Sequence, residues 1–569
     1  MMSGMANPIN KIKFGPAMFF SNDEDVKIRR NTMKKEFYRR TIRLALTGIL
    51  ILFIQTCSNS NPPYYNVCDY GAIADGVTKN TAAIHKAIDA AASAGGGTIY
   101  FPAGEYLTGP IHLKSNIVIH VDAGAVLKFS DNFDDYLPMV LSRWEGTTGM
   151  NFSPLFYGYQ LENIAIQGRG LLDGQGQAWW DFYGKLRKEY KQYGEVQTQS
   201  RWQKLHREAN ENTLQPDTWM WDNNNFLRPP FIQFYDCKNI QIRDVTIINS
   251  PFWTVNPELC DNVTITGLSI KNPPDSYNTD GINPSSCTNV HISNCHISVG
   301  DDCITLKSGR DEDGRRIGRP AENITITNCT MLNGHGGVVI GSEMSGDVRK
   351  VTISNCIFDG TDRGIRLKSM RGRGGVVEEI RVSNIVMKNI QLEAIKMNME
   401  YQKTDTEPVS ERTPKFRNIH ISNVTASQTR QAANLLGLDE MSIQDVTFTN
   451  INMDARRGFE FRNVDDIEFH HVTINAETGP ALMGTNVNNL ELNGVKTQYP
   501  QNGAPVVRLK NTRNVYVHGA NPLPGTKEYL AVSGPECENI VVAGNNFQHV
   551  KNPVVLGREV PSQAVIQNQ

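Results

Sequence analysis

The sequence contains few long amphipathic helical patterns, whereas Gly and Asn are frequent, and this balance favours an all-β fold. Hydrophobic residues make up 39% of the chain and charged residues 20%, a globular composition that argues against disorder. An excess of positive charge is missing. Without residues 1–56 the chain has 47 Lys and Arg against 55 Asp and Glu, a net charge of −8. Because nucleic-acid-binding surfaces are basic, the sequence predicts no nucleic-acid partner.

The N-terminal region lacks an apolar run long enough for a comfortable membrane span. Residues 44–54 are mainly apolar, but a spanning helix needs about 20 such residues. The run follows a basic stretch, residues 34–43, and precedes Cys57 and a polar spacer, which is the arrangement of an export signal. A Cys at this point resembles a bacterial lipobox, although Gln55 and Thr56 replace the usual small residues. We expect lipidation at Cys57, with plain secretion and an uncleaved membrane anchor as alternatives.

Short segments that alternate apolar and polar residues recur along the chain, mostly 22 to 29 residues apart. Their aligned apolar positions are Ile117, Ile164, Ile240, Val263, Val290, Ile324, Val351, Ile380, Ile419, Met441, Ile467, Leu490, Val515 and Ile540. Alternation buries one face of each strand, and repetition at this period is typical of a stack in which each unit covers its neighbour. The L-x-x-L-x-L frame of leucine-rich repeats is absent, and a propeller blade needs about 40 residues. The sequence therefore predicts a single-stranded parallel β-helix with coils about 4.8 Å apart.

A second series of short strands lies between these segments and carries most of the unusual charge. It comprises DGINP from residue 280, DCITLKSG from 302, GGVVIGSE from 336, GIRLKSM from 364, AIKMNME from 394 and GFEFRN from 458. Before the repeats, an amphipathic helix is predicted from about Thr81 to Ala94. We expect this helix to cap the open N-terminal end of the solenoid, as stacked repeats require.

Cysteines recur at one point of the repeat, in the Asn-Cys dipeptides that contain Cys295, Cys329 and Cys356. Export permits disulfides but does not require them. A recurrence at one level of a stack favours interior thiols that lie above one another, rather than disulfides or metal ligands.

Three aspartates stand out in the second series. Asp280 precedes Asp301 and Asp302 by about one coil, so the three should be neighbours on one wall. Adjacent residues of a regular strand face opposite ways, and Gly300 suggests a bend or bulge that aims both outward. Carboxylates so close repel one another, and at least one should retain its proton. An acid beside an ionised base is what glycoside cleavage requires.

Basic side chains follow on the neighbouring coils. His335 lies in NGHGG, and Arg366 and Lys368 are two apart on one strand face. If Ile304 and Ile395 point inward, the same parity turns Lys307 and Lys396 outward. Each residue alone could be a solvated turn or an exposed strand face, but their joint recurrence favours a site. A cationic strip on an acidic protein indicates an acidic substrate.

Four motifs in order, NTDG (278–281), GDD (300–302), GHGG (334–337) and RLK (366–368), resemble the signatures of glycoside hydrolase family 28, the polygalacturonases. The last is usually R-I-K, so Leu367 is a mild departure. DYGAIADG, QGRGLLDGQG, SPFWTVNP and GGVVIGSEMSG are also similar to bacterial members. The resemblance spans roughly residue 66 to the end. It implies a right-handed parallel β-helix that hydrolyses α-linked galacturonate chains with inversion.

The resemblance also implies roles for the site residues. Asp301 would be the general acid, and Asp280 and Asp302 would be bases that activate water across a gap of about 6.5–9.5 Å. His335 would tune the protonation of the acid. The substrate-binding candidates are Arg366 and Lys368 for the galacturonate carboxylate, together with Asn278 and, on spacing alone, Tyr401. The family requires no metal, so we expect no cofactor.

Residues 177 to 230 interrupt the repeat and hold five of the seven tryptophans. These are Trp179, Trp180, Trp202, Trp219 and Trp221. DFYGKLRKEYKQYG and SRWQKLHREANEN are predicted to be helical. Two interpretations stay open: a wall whose aromatics stack on sugar rings, or tryptophans that pack the insertion onto the body. A wall that closes one end of the groove would make cleavage exo.

The sequence thus predicts an export leader at residues 1–56 with its start at Met33, a lipoprotein-type linker at 57–65, and a catalytic β-helix at 66–569. We expect a monomer exported to the periplasm or outer-membrane surface of a bacterium, touching membrane only through Cys57. Its predicted partner is an acidic polysaccharide or oligosaccharide. Alternatives are a hydrolase of rhamnogalacturonan or other decorated pectin, a calcium-dependent β-helical lyase, and a carbohydrate-binding adhesin.

Overall fold

The computed structural model describes residues 64–211 and 228–567, besides Met33, Lys35 and Glu36. The rest of the predicted leader, Cys57, Trp219 and Trp221 therefore lie outside the described residues. Residues 64 onward belong to one compact unit. Within the described part of the chain, none of the helices is both long and apolar enough to cross a membrane.

The chain folds into a right-handed parallel β-helix, as predicted. Strands of successive coils pair in parallel, so that Val263 lies between Ile240 and Val290 of the adjacent coils. The strands form three faces, which we call the first, second and third face. The first face comprises Tyr64–Asn66, Gly97–Phe101, Ile117–Val121, Glu162–Gly168, Lys238–Arg243, Asp261–Thr266, Thr288–Ser293, Ala321–Thr327, Val348–Asp359, Val376–Lys388, Lys415–Leu436, Ile443–Asn493, Val507–His518, Glu538–Val542 and Val565–Gln567, of which the longest continue onto the other faces.

The other two faces consist of shorter strands. The second face comprises Asp75–Lys79, Gly104–Thr108, Ala125–Phe129, Leu171–Asp173, Thr246–Ile248, Ser269–Lys271, His296–Ser298 and Thr330–Leu332. The third face comprises Ile111–His112, Phe156–Tyr159, Ile232–Tyr235, Asp302–Leu306, Gly336–Gly341, Ile365–Lys368, Glu393–Asn398, Glu528–Ser533 and Asn552–Leu556. An antiparallel hairpin, Val140–Trp144 with Thr147–Asn151, lies outside these faces.

A ladder of asparagines explains why this residue is so frequent. The residue before each stacked apolar position adopts positive φ, as Asn239, Asn262 and Asn289 do at 55° to 57°. Asn tolerates this left-handed conformation better than most residues. The side chains also link the coils, since the amide of Asn262 donates to Asn239 over 2.8 Å and that of Asn323 donates to Asn289 over 3.1 Å.

The ladder corrects one position of the sequence alignment. Met441 was expected to stack on Ile419, but the structure pairs Ile419 with Val446 instead. Asp445 carries the positive φ, 53°, that precedes each stacked position, and Val446 is buried behind it. The correct repeat is therefore marked by the residue with positive φ rather than by the first apolar residue of the segment.

The N-terminal cap and the interior thiols are confirmed. The helix α1, Thr81–Ser93, buries Ile84 and Ile88 against the first strands of the solenoid. All nine cysteines in the described ranges have free thiols. The pairing of strands His296–Ser298 and Thr330–Leu332 puts Cys295 and Cys329 at the same level of successive coils.

The insertion forms two helices, α2 (Gln177–Tyr193) and α3 (Arg201–Asn210). Trp179 is fully buried, with its ring 4.0 Å from that of Phe133. The Trp180 indole donates to the carbonyl of Ser250 over 3.1 Å, and Trp202 packs against the edge of Phe133 at 5.1 Å. For these three tryptophans, packing onto the body is the correct interpretation and stacking on sugar is wrong.

Trp179→Ala should destabilise the protein by about 3–5 kcal/mol, because it leaves a large cavity between the insertion and the body. Urea unfolding followed by far-ultraviolet circular dichroism measures the change. Tyr193→Ala is the matched control, since this aromatic side chain at the end of α2 is 57% exposed. Equal unfolding midpoints for the two variants would contradict the packing role of Trp179.

Candidate active site

The registry of the coils brings the three predicted carboxylates together on the third face. Ile282 pairs with Ile304, and the amide of Gly281 donates to the carbonyl of Asp302 over 3.0 Å. Asp280 therefore lies directly beside Asp302 on the adjacent coil. On the other side, the amide of His335 donates to the carbonyl of Asp301 over 2.9 Å.

A bend before the strand turns both adjacent aspartates into the groove. The strand begins at Asp302, so Asp301 belongs to the bend and escapes the alternation of a regular strand. Gly300 is required here, because a Cβ would collide with the carbonyls of Pro273 and Ser276. As a result, Asp280, Asp301 and Asp302 each present an oxygen within 4.8 Å of the others. The expected gap of about 6.5–9.5 Å between acid and base is therefore wrong for these oxygens, because the carboxylates lie on directly adjacent coils.

The three carboxylates differ in exposure and in partners. The Asp301 side chain is 20% exposed, and its Oδ1 lies 3.2 Å from Nδ1 of His335. Asp280 is 3% exposed and accepts a hydrogen bond of 2.9 Å from the amide of Asn283. Asp302 is 1% exposed, with its oxygens 2.7 Å from Nζ of Lys368 and 3.5 Å from a guanidinium nitrogen of Arg366.

These surroundings separate the pKa values of the two buried acids. Burial, together with the charges of Asp301 and Asp302, raises the pKa of Asp280 well above its usual range. Burial acts in the same direction on Asp302, but Lys368 and Arg366 outweigh it and hold that pKa below its usual range. The site therefore sets the pKa values of two neighbouring acids apart, that of Asp280 raised and that of Asp302 lowered. The hydrogen bond that His335 donates to the Asp301 carboxylate raises the pKa of His335 to about 9, against the opposing effect of burial.

The predicted substrate-binding residues also lie together. Arg366 and Lys368 point into the groove, while Ile365 and Leu367, which alternate with them along the strand, are buried in the core. The ring of Tyr401 lies 5.6 Å from the Arg366 guanidinium carbon and 5.4 Å from Nζ of Lys368.

Asn278 lines the same groove, on the side nearest the insertion. It has a φ of 52°, and its side-chain oxygen accepts a hydrogen bond of 2.8 Å from Arg228. Arg228 is fully buried, with its guanidinium 4.1 Å from the ring of Tyr183 of α2. The insertion thus supports one rim of the groove indirectly.

The expected line of cations is only partly correct. Lys307 lines the groove, but Lys396 does not. Lys396 pairs with Arg366 in strand register, one coil further on, where its ammonium contacts Glu393 at 3.0 Å and Asn434 at 2.7 Å. Parity turned this side chain outward as expected, but local partners hold it away from the groove.

The groove has a cavity volume of about 470 Å³. Several of its lining residues were missed by sequence reasoning, because they come from loops and the hairpin rather than from the repeat. These are Glu145, Trp253, Arg310, Ser342, Glu343, Asp362, Arg363, Arg373 and Gln402. Trp253 had a signal in the sequence, since it precedes Asp280 by one coil, and so did Ser342 and Glu343, which belong to the GGVVIGSE segment of the second series.

The hairpin lines one side of the groove. Glu145 at its turn lies 3.2 Å from Arg310, whose backbone amide donates to the carbonyl of Gly146 over 3.0 Å. Behind the turn, Arg143 and Glu258 form a fully buried ion pair at 3.4 Å. The short helix α4, Asp311–Ile317, begins directly after Arg310.

Comparison with known proteins agrees with this geometry. Residues 218–474 match glycosyl hydrolases family 28, and residues 64–185 match the rhamnogalacturonase A/epimerase, pectate lyase-like family. The chain is 30% identical over 401 residues to a probable polygalacturonase of Vitis vinifera, covering 68% of this chain and 74% of the relative. The chain belongs to glycoside hydrolase family 28. This membership confirms the predicted inverting glycoside hydrolase.

The names of other relatives include both endo- and exo-acting polygalacturonases. It is 30% identical over 370 residues to an endo-polygalacturonase of Pectobacterium carotovorum subsp. carotovorum, covering 63% of this chain and 80% of the relative. The solved structure of a hyperthermoactive exopolygalacturonase from Thermotoga maritima is 35% identical, with a TM-score of 0.62, covering 72% of this chain and 93% of that one.

Lys368→Met should destabilise the protein by about 3 kcal/mol at neutral pH, because it removes the closest cation from a buried carboxylate. Lys368 helps to hold the pKa of Asp302 low. The variant should therefore show its full loss of stability above the ordinary Asp pKa of about 3.9. It should fade as pH falls through the lowered pKa of wild-type Asp302. Urea unfolding midpoints between pH 7 and pH 2 measure this dependence.

Lys396→Met is the control, since this ammonium pairs with a more exposed carboxylate outside the groove. A Lys368→Met loss that stays constant over the whole pH range would contradict the coupling between Lys368 and Asp302.

Proposed function

We propose that this chain is an exported, exo-acting polygalacturonase that cleaves galacturonate-containing polysaccharide. The observation that carries the proposal is the trio of carboxylates, within 4.8 Å of one another, beside Arg366 and Lys368 in one groove. The carboxylates supply acid and base, and the cations match the carboxylate of a galacturonate unit. Its relatives are named as endo- and exo-polygalacturonases.

Asp301 is the general acid in this proposal, and exposure supports the choice. Its side chain is 20% exposed, against 3% for Asp280 and 1% for Asp302, so it meets the glycosidic oxygen most directly. Of the two buried acids, Asp280, with its raised pKa, is the one that carries a proton in this proposal. Transfer of that proton to Asp301 arms the acid and leaves Asp280 ionised beside Asp302, so that both can accept a proton from the attacking water.

The remaining residues bind and orient the sugar. Arg366 and Lys368 hold the galacturonate carboxylate, and Tyr401 beside them offers a ring face to the sugar. Asn278 offers an amide held in place by Arg228. His335, with its pKa near 9, is protonated at neutral pH and stabilises the ionised form of Asp301 after proton transfer.

Exo action is supported by the closed side of the groove. The hairpin turn at Glu145 is fastened to Arg310, and α2 buttresses the Asn278 rim through Tyr183 and Arg228. The similarity to the exopolygalacturonase of Thermotoga maritima points the same way. A rhamnogalacturonan substrate is a second candidate, favoured by the match of residues 64–185 to the rhamnogalacturonase A/epimerase family.

Export and lipidation at Cys57 complete the proposal and rest on the sequence pattern of residues 34–57. Recovery of wild-type protein in the membrane fraction, and of Cys57→Ser in the soluble fraction, is the expected result. Equal fractionation of both would argue against the anchor.

Asp301→Asn should lower kcat on polygalacturonate by about 10²–10⁴-fold, because the amide cannot protonate the leaving oxygen. Binding of oligogalacturonate, measured by calorimetry, should stay within a few fold. Asp275→Asn on the preceding loop is the control and should keep full activity, since this side chain is exposed and does not line the groove. A fully active Asp301→Asn enzyme would rule out this acid.

The size of the first products tests exo action. On long polygalacturonate, the wild type should release a single short product from the first minutes, and little product from rhamnogalacturonan. The double variant Glu145→Ala/Arg310→Ala should release a spread of oligomers, because it unfastens the hairpin. Tyr193→Ala on the outer end of α2 should behave as wild type. A spread of oligomers from the wild type would contradict a closed groove end.

A further inference from the structure

We propose that Lys307 is a positioning residue that orients Asp280 and provides the positive charge against which Asp280 ionises during turnover. The proposal rests on the role given to Asp280 under the proposed function. Lys307 directly follows the strand Asp302–Leu306 and is in register with Ser285 of the coil that carries Asp280.

Three groups fix the ammonium of Lys307. Its Nζ lies 2.7 Å from Oε2 of Glu343, 3.9 Å from Oδ2 of Asp280 and 4.5 Å from the centre of the Trp253 ring. The side chain is only 4% exposed, so little freedom is left to it. A cation over an indole face is held by the ring quadrupole as well as by charge.

Glu343 keeps this ammonium charged. Burial would raise the pKa of Glu343, but Lys307 and Arg373 outweigh it, so the carboxylate remains ionised. Its other oxygen accepts a hydrogen bond of 2.8 Å from Ser342. Burial likewise opposes the charge of Lys307, yet Glu343 and Asp280 raise its pKa above the usual value. Lys307 is therefore a fixed positive charge at the bottom of the groove.

Lys307 is the cation that most favours the ionised form of Asp280. Among the described residues, the charged groups that face it are Asp301 and Asp302, which oppose its ionisation, and Lys307 and Lys368, which favour it. Lys368 forms its closest ion pair with Asp302, at 2.7 Å. The other contacts of the Asp280 carboxylate, Asn283 at 2.9 Å and Thr305 at 3.5 Å, carry no charge. Proton loss from Asp280 is therefore compensated mainly by Lys307.

A direct substrate contact is the competing role for Lys307. Among the described residues, the ammonium of Lys307 already has two carboxylate partners, Glu343 and Asp280, whereas that of Lys368 has one, Asp302. This difference argues against a substrate contact for Lys307. The two roles differ in the kinetic parameter that changes. A substrate ligand acts on KM, whereas a positioning residue acts on kcat and on its pH dependence.

Lys307→Met should lower kcat on polygalacturonate at neutral pH by at least tenfold, with KM changed less than threefold. The acidic limb of its kcat–pH profile should move to higher pH, because Asp280 loses the charge that favours its ionised form. Lys307→Arg should restore most of both quantities. Lys396→Met, outside the groove, should match the wild type.

The Asp280→Asn background separates the possible failures. If Asp280→Asn is impaired, adding Lys307→Met should cause little further loss, because the two residues act as one unit. An unmoved acidic limb in Lys307→Met, or a rise confined to KM, would overturn the role of Lys307 alone. Wild-type activity in Asp280→Asn would overturn the role of Asp280 and this proposal with it.

Glu343→Gln covers the case in which Lys307→Met does not fold. This variant removes the negative charge of Glu343, so that Asp280 becomes the main carboxylate partner of the Lys307 ammonium. The acidic limb of the kcat–pH profile should therefore move to lower pH. A shift to higher pH, or none, would overturn the proposal.

Discussion

The parallel pairing of successive coils is the constraint on which the site depends. Backbone hydrogen bonds fix Asp280 beside Asp302, and Asp301 beside His335, before any side chain contributes. The asparagine ladder on the first face stabilises the same registry, since the amides of Asn262 and Asn323 each donate to an asparagine of the adjacent coil. A slip of one residue would turn Asp302 and Lys368 into the core. The solenoid thus converts residues distant in sequence into neighbours at the spacing of strands.

Once registry brings the carboxylates together, charge decides their states. Two buried acids on adjacent coils have pKa values shifted in opposite directions, because one faces Lys368 and Arg366 whereas the other faces two further carboxylates. Both buried acids have cations nearby, but the cations lie closer to Asp302 than to Asp280. This inequality is what allows a cluster of like groups to hold both an acid and a base at one pH.

Sequence reasoning reached the fold and the central residues for physical reasons. Period and alternation reveal a stacked sheet, and parity assigns Arg366 and Lys368 to one face. It failed where local contacts override parity, as at Lys396, whose partners Glu393 and Asn434 hold it away from the groove. It also missed Glu145 and Arg310, because a hairpin and a loop outside the repeat carry no period. The tryptophans of the insertion stayed ambiguous until their burial was seen, since one composition suits both packing and stacking.

The division of charge among the aspartates is the central claim, and carbon-13 NMR of selectively labelled aspartate carboxyls tests it most directly. Difference spectra against Asp280→Asn and Asp302→Asn assign the two signals. The account predicts that Asp280 titrates well above the ordinary value of about 3.9 and Asp302 below it. Titration of both near that value, or in the reverse order, would contradict the account.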